Sequence, residues 1–373
     1  MSRVLVAPDK FKGSATATEV AAALARGICR VRPEAVVARV PVADGGDGTV
    51  AAAVAAGFES VPVTVAGPTG LPVSAAYARQ GGAAVLELAD TCGLARLSGG
   101  VPAPLTASSR GLGEAIVAAL DAGCRELVIA IGGSASTDGG AGMAMALGAV
   151  LGDHCGAVVP DGGAALADVA ALDLSGLHPA LEEASLVVAC DVDNPLTGPA
   201  GAAAVYGPQK GCDPTQVALL DAALERWADV VAAETGADHR HLAGAGAAGG
   251  VGFAALALLG ATLRPGIDLV LDLVGFDQVL TGCDLVITGE GSLDAQSLHG
   301  KAPIGVADRA RVAGVPVVAV AGRSTLSAAD LAAVGIIDSF ALLDLEPDVT
   351  TCLVTPLPLL ERVGAEIALR HLS

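Results

Sequence analysis

The sequence predicts an α/β protein with mostly parallel sheets, on three observations. Short Val/Ile/Leu runs alternate with longer Ala-rich segments of helical length. Those runs are close to continuously apolar rather than alternating, as strands buried on both faces are. Several end in Gly, Asp, Ser or Lys just before a helix, where open parallel sheets gather polar groups. At 373 residues the chain exceeds what one hydrophobic core organises, so two domains are expected.

Taken in order, strands are expected at residues 4–7, 35–40, 61–65, 73–78, 84–88, 127–131, 186–189, 285–288 and 315–320. Helices are expected at 15–31, 109–122, 140–151, 215–234, 251–263, 303–313 and 357–372. The first helix opens after Ser14 with Glu19 in its first turns, and Asp213-Pro214 reads as the start of another. Pro- and Gly-containing stretches at 65–74 and 275–284 read as crossings between domains. They divide the chain into a discontinuous doubly wound domain, residues 1–65 and 282–373, and an inserted α/β domain, residues 66–281.

Composition excludes several functions. Hydrophobic residues make up 53% of the chain, but Ala and Gly supply much of that. The longest uncharged run, 243–263, is broken by six glycines and reads as a loop feeding a buried helix rather than a membrane span. The N-terminal apolar stretch is too short for a signal peptide, which points to the cytoplasm. A net charge of −19 disfavours nucleic acid, and an aromatic content of 2% removes the stacking platforms single strands need. Eight cysteines without a CxxC pair give neither a zinc site nor a disulfide framework.

An acidic protein that handles an anionic substrate must concentrate cations locally or bring a metal. The chain contains four lysines, Lys10, Lys12, Lys210 and Lys301, against seventeen arginines, and each lysine lies near a glycine in a loop-like stretch. A compact ammonium on a flexible stem beside a Gly backbone is suited to phosphate.

Five segments carry chemistry. In the first, a buried strand runs into Asp9-Lys10-Phe11-Lys12-Gly13 directly before a helix. In the second, Asp44 and Asp47 stand three apart among glycines and are suited to hold a cation or position a hydroxyl. The third and strongest runs from a strand through Gly132, Gly133, Ser134, Ser136, Thr137, Asp138, Gly139 and Gly140 into a helix. Bare backbone N–H groups, hydroxyl donors and a helix N-terminus together make an anion nest. In the fourth, Asp191, Asp193 and Asn194 supply oxygen ligands for a hard cation, with Lys210 following in GPQKG. The fifth carries Glu290, Asp294 and Lys301. It approaches a nucleotide P-loop but has Ala295 for the first glycine and Ala302 for the metal-binding hydroxyl. A GxGxxG match at 244–249 follows no buried strand, so dinucleotide binding is not expected there.

The strings APDKFKGS, PVADGGDGT, IGGSASTDGGAGM, ACDVDNPLTGP with GPQKG, GAGAAGG with LRPGIDLV, and ITGEGSLDAQSLHGKAP occur in that order. Together they resemble the bacterial glycerate kinase type-1 family through nearly the whole chain. The resemblance implies ATP-dependent phosphorylation of D-glycerate, usually at its 2-hydroxyl, with a divalent cation. It also implies two α/β domains, the second inserted into the first, with the site in the cleft between them. The family often has Asn where Thr137 stands, and Arg and Gly where Ser292 and Ala295 stand.

Phosphoryl transfer needs neutralised phosphate charge, an in-line hydroxyl and a carboxylate to take its proton. The nest is therefore expected to bind phosphate. Asp191, with Asp193 or Asn194, is expected to hold Mg²⁺ or act as base. Lys10 and Lys301 are expected to neutralise the transferring group or the glycerate carboxylate. Asp44, Asp47, Glu290 and Asp294 are further candidates for base or metal ligand, and Lys12 and Lys210 for anion contacts. The partners are thus small molecules, glycerate and ATP. Two rival classes are an NAD-linked 2-hydroxy-acid oxidoreductase and a non-catalytic hydroxy-acid binding protein.

Overall fold

A computed structural model describes residues 1–298 and 300–372, so His299 of the SLHGKAP string lies outside the described residues. The chain forms two compact units. One comprises residues 1–44, 51–57 and 267 onward, and the other residues 45–50 and 58–266. In chain order the strands are β1 (Arg3–Pro8), β2 (Val36–Arg39), β3 (Glu59–Ala66), β4 (Pro72–Gln80) and β5 (Ala83–Glu87). They continue with β6 (Glu126–Ala130), β7 (Val150–Asp153), β8 (Val169–Asp173) and β9 (Ser185–Ala189). The last four are β10 (Thr262–Arg264), β11 (Leu285–Leu293), β12 (Val317–Ser324) and β13 (Ile336–Ala341).

The first unit is built on a five-stranded parallel sheet of order β13-β12-β11-β1-β2. Alternate strand residues feed two cores. Val4, Val6, Leu285, Ile287, Val318 and Val320 face one core, with Leu24 and Ile28 of helix Ala17–Val31 and Leu360 of helix Pro356–His371. Leu5, Ala7, Val286 and Ala319 face the opposite core, with Val306 and Ala310 of helix Ala302–Val312. Helices on both faces account for the continuously apolar runs of β1, β11 and β12, whose central positions are covered on both sides. Helix Ala17–Val31 begins at Thr16, whose hydroxyl and Glu19 form a reciprocal capping box. In this sheet the order reverses between β1 and β11. The crevice at their C-terminal ends is therefore the topological switch point where such sheets bind ligands.

The second unit carries a six-stranded sheet of order β10-β9-β6-β5-β4-β3. Strands β5, β6, β9 and β10 are parallel, and β4 and β3 complete one side antiparallel. A separate β7–β8 ribbon is antiparallel. Helix Pro214–Thr235 starts at Asp213, which shares a capping box with Gln216, as its Asp-Pro start predicts.

Four segments differ from the sequence expectation. Residues 65–74 form the turn of the β3–β4 hairpin, with Ala66 opposite Pro72, because Pro and Gly serve a tight turn as readily as a crossing. The helix expected over 140–151 is only Ala141–Ala146, and Gly148 at φ +110 ends it and releases β7. The helix expected over 251–263 is Ala247–Leu259, closed by Gly260 in the left-handed region, after which β10 pairs with β9. The stretch 275–284 contains a short helix, Phe276–Leu280, before the chain enters β11. Among the described residues no helix is long and apolar enough to cross a membrane.

Candidate active site

In the first unit the candidate side chains collect at the switch point. Asp9 follows β1 directly and its N–H donates to the Gly289 carbonyl at 2.8 Å, tying it to the end of β11. It is 7% exposed, and burial pushes its pKa up to about 7. Lys10 opposes that rise, while the negative charges of Asp44 and Glu290 add to it. Glu290 lies near the end of β11 and is buried, which raises its pKa; Lys301 Nζ, 3.6 Å from its Oε2, pulls the other way. Its Oε1 has no hydrogen-bond partner among the described residues.

Lys301 occupies the cap position of helix Ala302–Val312, and its ammonium reaches to Glu290. Asp294 shapes the preceding turn. Its Oδ1 accepts from Gln296 N–H at 2.9 Å, and its own N–H donates to Ser297 Oγ at 3.1 Å. Ser292, where the resemblance expects arginine, accepts from Arg323 Nε at 3.0 Å. Lys12 is exposed, and Asp44 is half-buried.

In the second unit the Gly-rich loop leaves β6 and turns through Gly133, Gly139 and Gly140, all at positive φ. Asp138 is fully buried beneath it. The carboxylate accepts from Ser109 N–H at 2.7 Å, Ser109 Oγ at 2.8 Å, Gly140 N–H at 3.3 Å and Gly142 N–H at 3.2 Å. Burial raises its pKa and those donors oppose the rise. Asp138 thus organises the loop from below.

Lys210 is also buried, 3% exposed, and Nζ donates to Ser134 Oγ at 2.9 Å and to the Ser136 carbonyl. Loss of water pushes its pKa down to about 8, against the pull of Asp138. The hydroxyls of Ser136 and Thr137 are buried and have no hydrogen-bond partner among the described residues.

The GAGAAG segment forms a wall of this loop. Ala248, Gly249 and Gly250 take φ of 53, 71 and 93 in succession, and Gly249 O accepts from Gly139 N–H at 2.9 Å. A side chain at Gly249 would meet the Ser136 carbonyl and Lys210 Nζ. On the other side Trp227, the sole tryptophan, donates from Nε1 to Gly139 O at 3.1 Å.

The loop of residues 45–50 is held by Glu87 at the end of β5, which accepts from Gly48 and Val50 N–H at 3.1 Å. Burial pushes the Glu87 pKa up to about 7, against those two donors. Gly46 lies so close to Gly132 that a Cβ on the latter would be 2.8 Å from the Gly46 Cα. Asp47 in the same loop is exposed.

After β9, Asp191 Oδ1 accepts from Gly266 N–H at 2.8 Å, and both Asp191 and Asp193 are exposed. The Asn194 amide is committed to its own loop, donating to Ala200 O at 2.8 Å and accepting from Tyr206 OH at 2.6 Å. Among the described residues no group of three or more His, Cys, Asp or Glu is arranged to enclose a metal ion. Two exposed carboxylates at one strand end nonetheless suit Mg²⁺, which keeps several waters and shares its coordination with phosphate.

The first unit therefore gathers Lys10, Asp44, Glu290, Asp294 and Lys301 at one sheet edge. The second gathers residues 132–140, Lys210, Asp47, Asp191 and Asp193 at another. Sequence reasoning did not assign Asp9, Glu87, Ser109 or Arg323. Asp9 and Glu87 carry a usable signal, a carboxylate at the C-terminal end of a buried strand. Ser109 carries none, since it meets Asp138 only through the fold.

A model of the glycerate kinase family matches residues 4–372. The chain is 47% identical to the glycerate kinase of Bacillus subtilis over 323 residues, 86% of this chain and 85% of that protein. It is 44% identical to the glycerate 2-kinase of Escherichia coli K12 over 327 residues, 87% of this chain and 86% of that one. The crystal structure of a putative glycerate kinase 2 from Salmonella typhimurium LT2 matches with a TM-score of 0.86 at 42% identity. That match covers 99% of this chain and 97% of the other.

Proposed function

Because the chain belongs to the glycerate kinase family, we propose that it phosphorylates D-glycerate at the 2-hydroxyl, with ATP as donor and Mg²⁺ as the accompanying cation. The observation that carries this reading is the Gly-rich loop, where two buried hydroxyls without partners among the described residues lie beside a buried lysine. A buried unpaired hydroxyl costs about 1–3 kcal/mol, and a phosphate oxygen accepting from it recovers that cost. The Gly139 and Gly140 N–H groups are spent on Gly249 O and Asp138, so the hydroxyls are the donors, and Lys210 supplies positive charge from beneath.

Lys10 and Lys301 neutralise the hydroxy-acid carboxylate or the transferring phosphoryl group. Asp9, with its pKa near 7, is well matched to take the hydroxyl proton, and Asp294 is the neighbouring alternative. The hydroxyl oxygen bonds to the γ-phosphorus as the bond to the β-phosphate oxygen breaks, and ADP leaves. Asp191 and Asp193 would hold Mg²⁺, which when bound spreads the charge of the phosphate oxygens. Asn194 and Tyr206 fix the loop that carries them. The NAD-linked reading loses support because the GAGAAG segment walls the phosphate loop and follows no strand.

The test is ADP release with D-glycerate, ATP and Mg²⁺, with the product identified by ³¹P and ¹H NMR. The expected product is 2-phosphoglycerate. Formation of 3-phosphoglycerate would overturn the regiochemistry, and absence of glycerate-dependent ADP release would overturn the kinase reading.

A further inference from the structure

We propose that Arg323 binds a substrate oxyanion at the C-terminal edge of the first unit's sheet. The inference rests on the kinase reading for the identity of that anion, a hydroxy-acid carboxylate or a nucleotide phosphate, and on geometry alone for the site.

Arg323 is the penultimate residue of β12, two positions beyond Ala321, which pairs with Glu290. It pairs in register with Ser292, so the guanidinium is delivered to the edge that carries Glu290, Asp294 and Lys301. One bond holds it there, from Nε to Ser292 Oγ at 3.0 Å. Ser292 Oγ in turn approaches Asp294 Oδ2 at 3.5 Å, and Asp294 lies near enough to Glu290 to act on its charge.

The two Nη atoms have no hydrogen-bond or ion-pair partner among the described residues, and the side chain is exposed. Arg240 and Arg309 differ, each being ringed by three carboxylates: Glu225, Asp229 and Asp238, and Asp268, Asp272 and Asp277. Those two are spent on the protein. Arg323 keeps a planar pair of donors facing outward, oriented at its base by Ser292, the form that recognises carboxylate or phosphate bidentately. With one hydrogen bond, to a neutral hydroxyl at an exposed site, it has little to contribute to folding.

The experiment compares wild type with Arg323→Gln. Calorimetric titration with D-glycerate and with ATP gives the two affinities, and steady-state kinetics gives the two KM values. The expected result is a loss of tenfold or more in affinity for one ligand, with its KM rising in parallel. The other ligand should stay within twofold, and the urea midpoint should be unchanged. Loss for glycerate identifies the carboxylate as the bound group, and loss for ATP identifies a phosphate. The double variant Arg323→Ser with Ser292→Arg, which moves the guanidinium across the strand pair, should recover part of the lost affinity. Both affinities within twofold of wild type would overturn the proposal, as would a wild type that binds neither ligand. If wild type binds a ligand but turns over no glycerate, the kinase reading fails while the calorimetric comparison still decides on Arg323.

Discussion

Glu87 and Asp9 are carboxylates that the fold buries at strand ends, and both are pushed to a pKa of about 7 by loss of water. The folded state therefore holds these protons more tightly than the unfolded chain, whose values are 4.5 and 3.8. Their stabilising contribution is fully present below about pH 4 and is lost as pH rises through about 7. Glu87→Gln keeps acceptor oxygen for Gly48 and Val50 but cannot ionise, so its decline in stability between pH 4.5 and 7.5 should be shallower. The difference should be on the order of a few kcal/mol. Urea unfolding at several pH values reads it, and curves parallel to wild type would show that Glu87 does not titrate there. Asp9 should leave the variant with a residual decline in the same window.

At the scale of elements, the Gly-rich loop is held between two others. Helix Pro214–Thr235 contributes Trp227, and the left-handed run Ala248-Gly249-Gly250 contributes the carbonyl that receives Gly139 N–H. Gly249→Ala forces a side chain at φ +71 against the Ser136 carbonyl and Lys210. The expected result is a fall in kcat of at least tenfold, with a shift in the emission of Trp227, which is bonded to the same loop. An unchanged spectrum and kcat would show that the wall is not needed.

The nine strands expected from apolar runs are all present. Strands β1, β6, β9, β11 and β12, buried through most of their length, announce themselves by composition, whereas β2, β3 and β4 are partly exposed and were legible by their Val and Ala content. Strands β7, β8, β10 and β13 were not legible. The sequences VLGD, VAALD, TLR and IIDSFA are too short or too mixed to separate from loop or helix, and only pairing partners make them strands. The helix overruns at 140–151 and 251–263 have the same origin, since glycines inside an Ala-rich run mark an end only when the tertiary path turns there.

For the molecule as a whole, a net charge of −19 must be reconciled with the two anionic substrates of the proposed reaction. In the proposed reading, lysines placed at sheet edges supply part of the answer and a divalent cation the rest. MgATP at one hundred times its Kd should stabilise the protein by about 2.7 kcal/mol. ATP with excess chelator should stabilise it less, and glycerate-dependent ADP release should stop until Mg²⁺ is returned. Equal thermal shifts with and without chelator would remove the cation from the reading.

What the sequence by itself determined is the class of the fold, the strings that carry the chemistry and the family they resemble. Those depend on local composition and order, which the chain displays directly. Only the tertiary structure decided which polar groups are buried and with whom. Asp138 reads in sequence as one more loop carboxylate, yet four donors from two segments place it beneath the loop. Lys210 lies more than seventy residues from the carbonyl it meets, and Arg323 faces Ser292 only through the register of β11 and β12. Burial and long-range pairing are properties of the packed chain, and they set the charges and directions on which the chemistry depends.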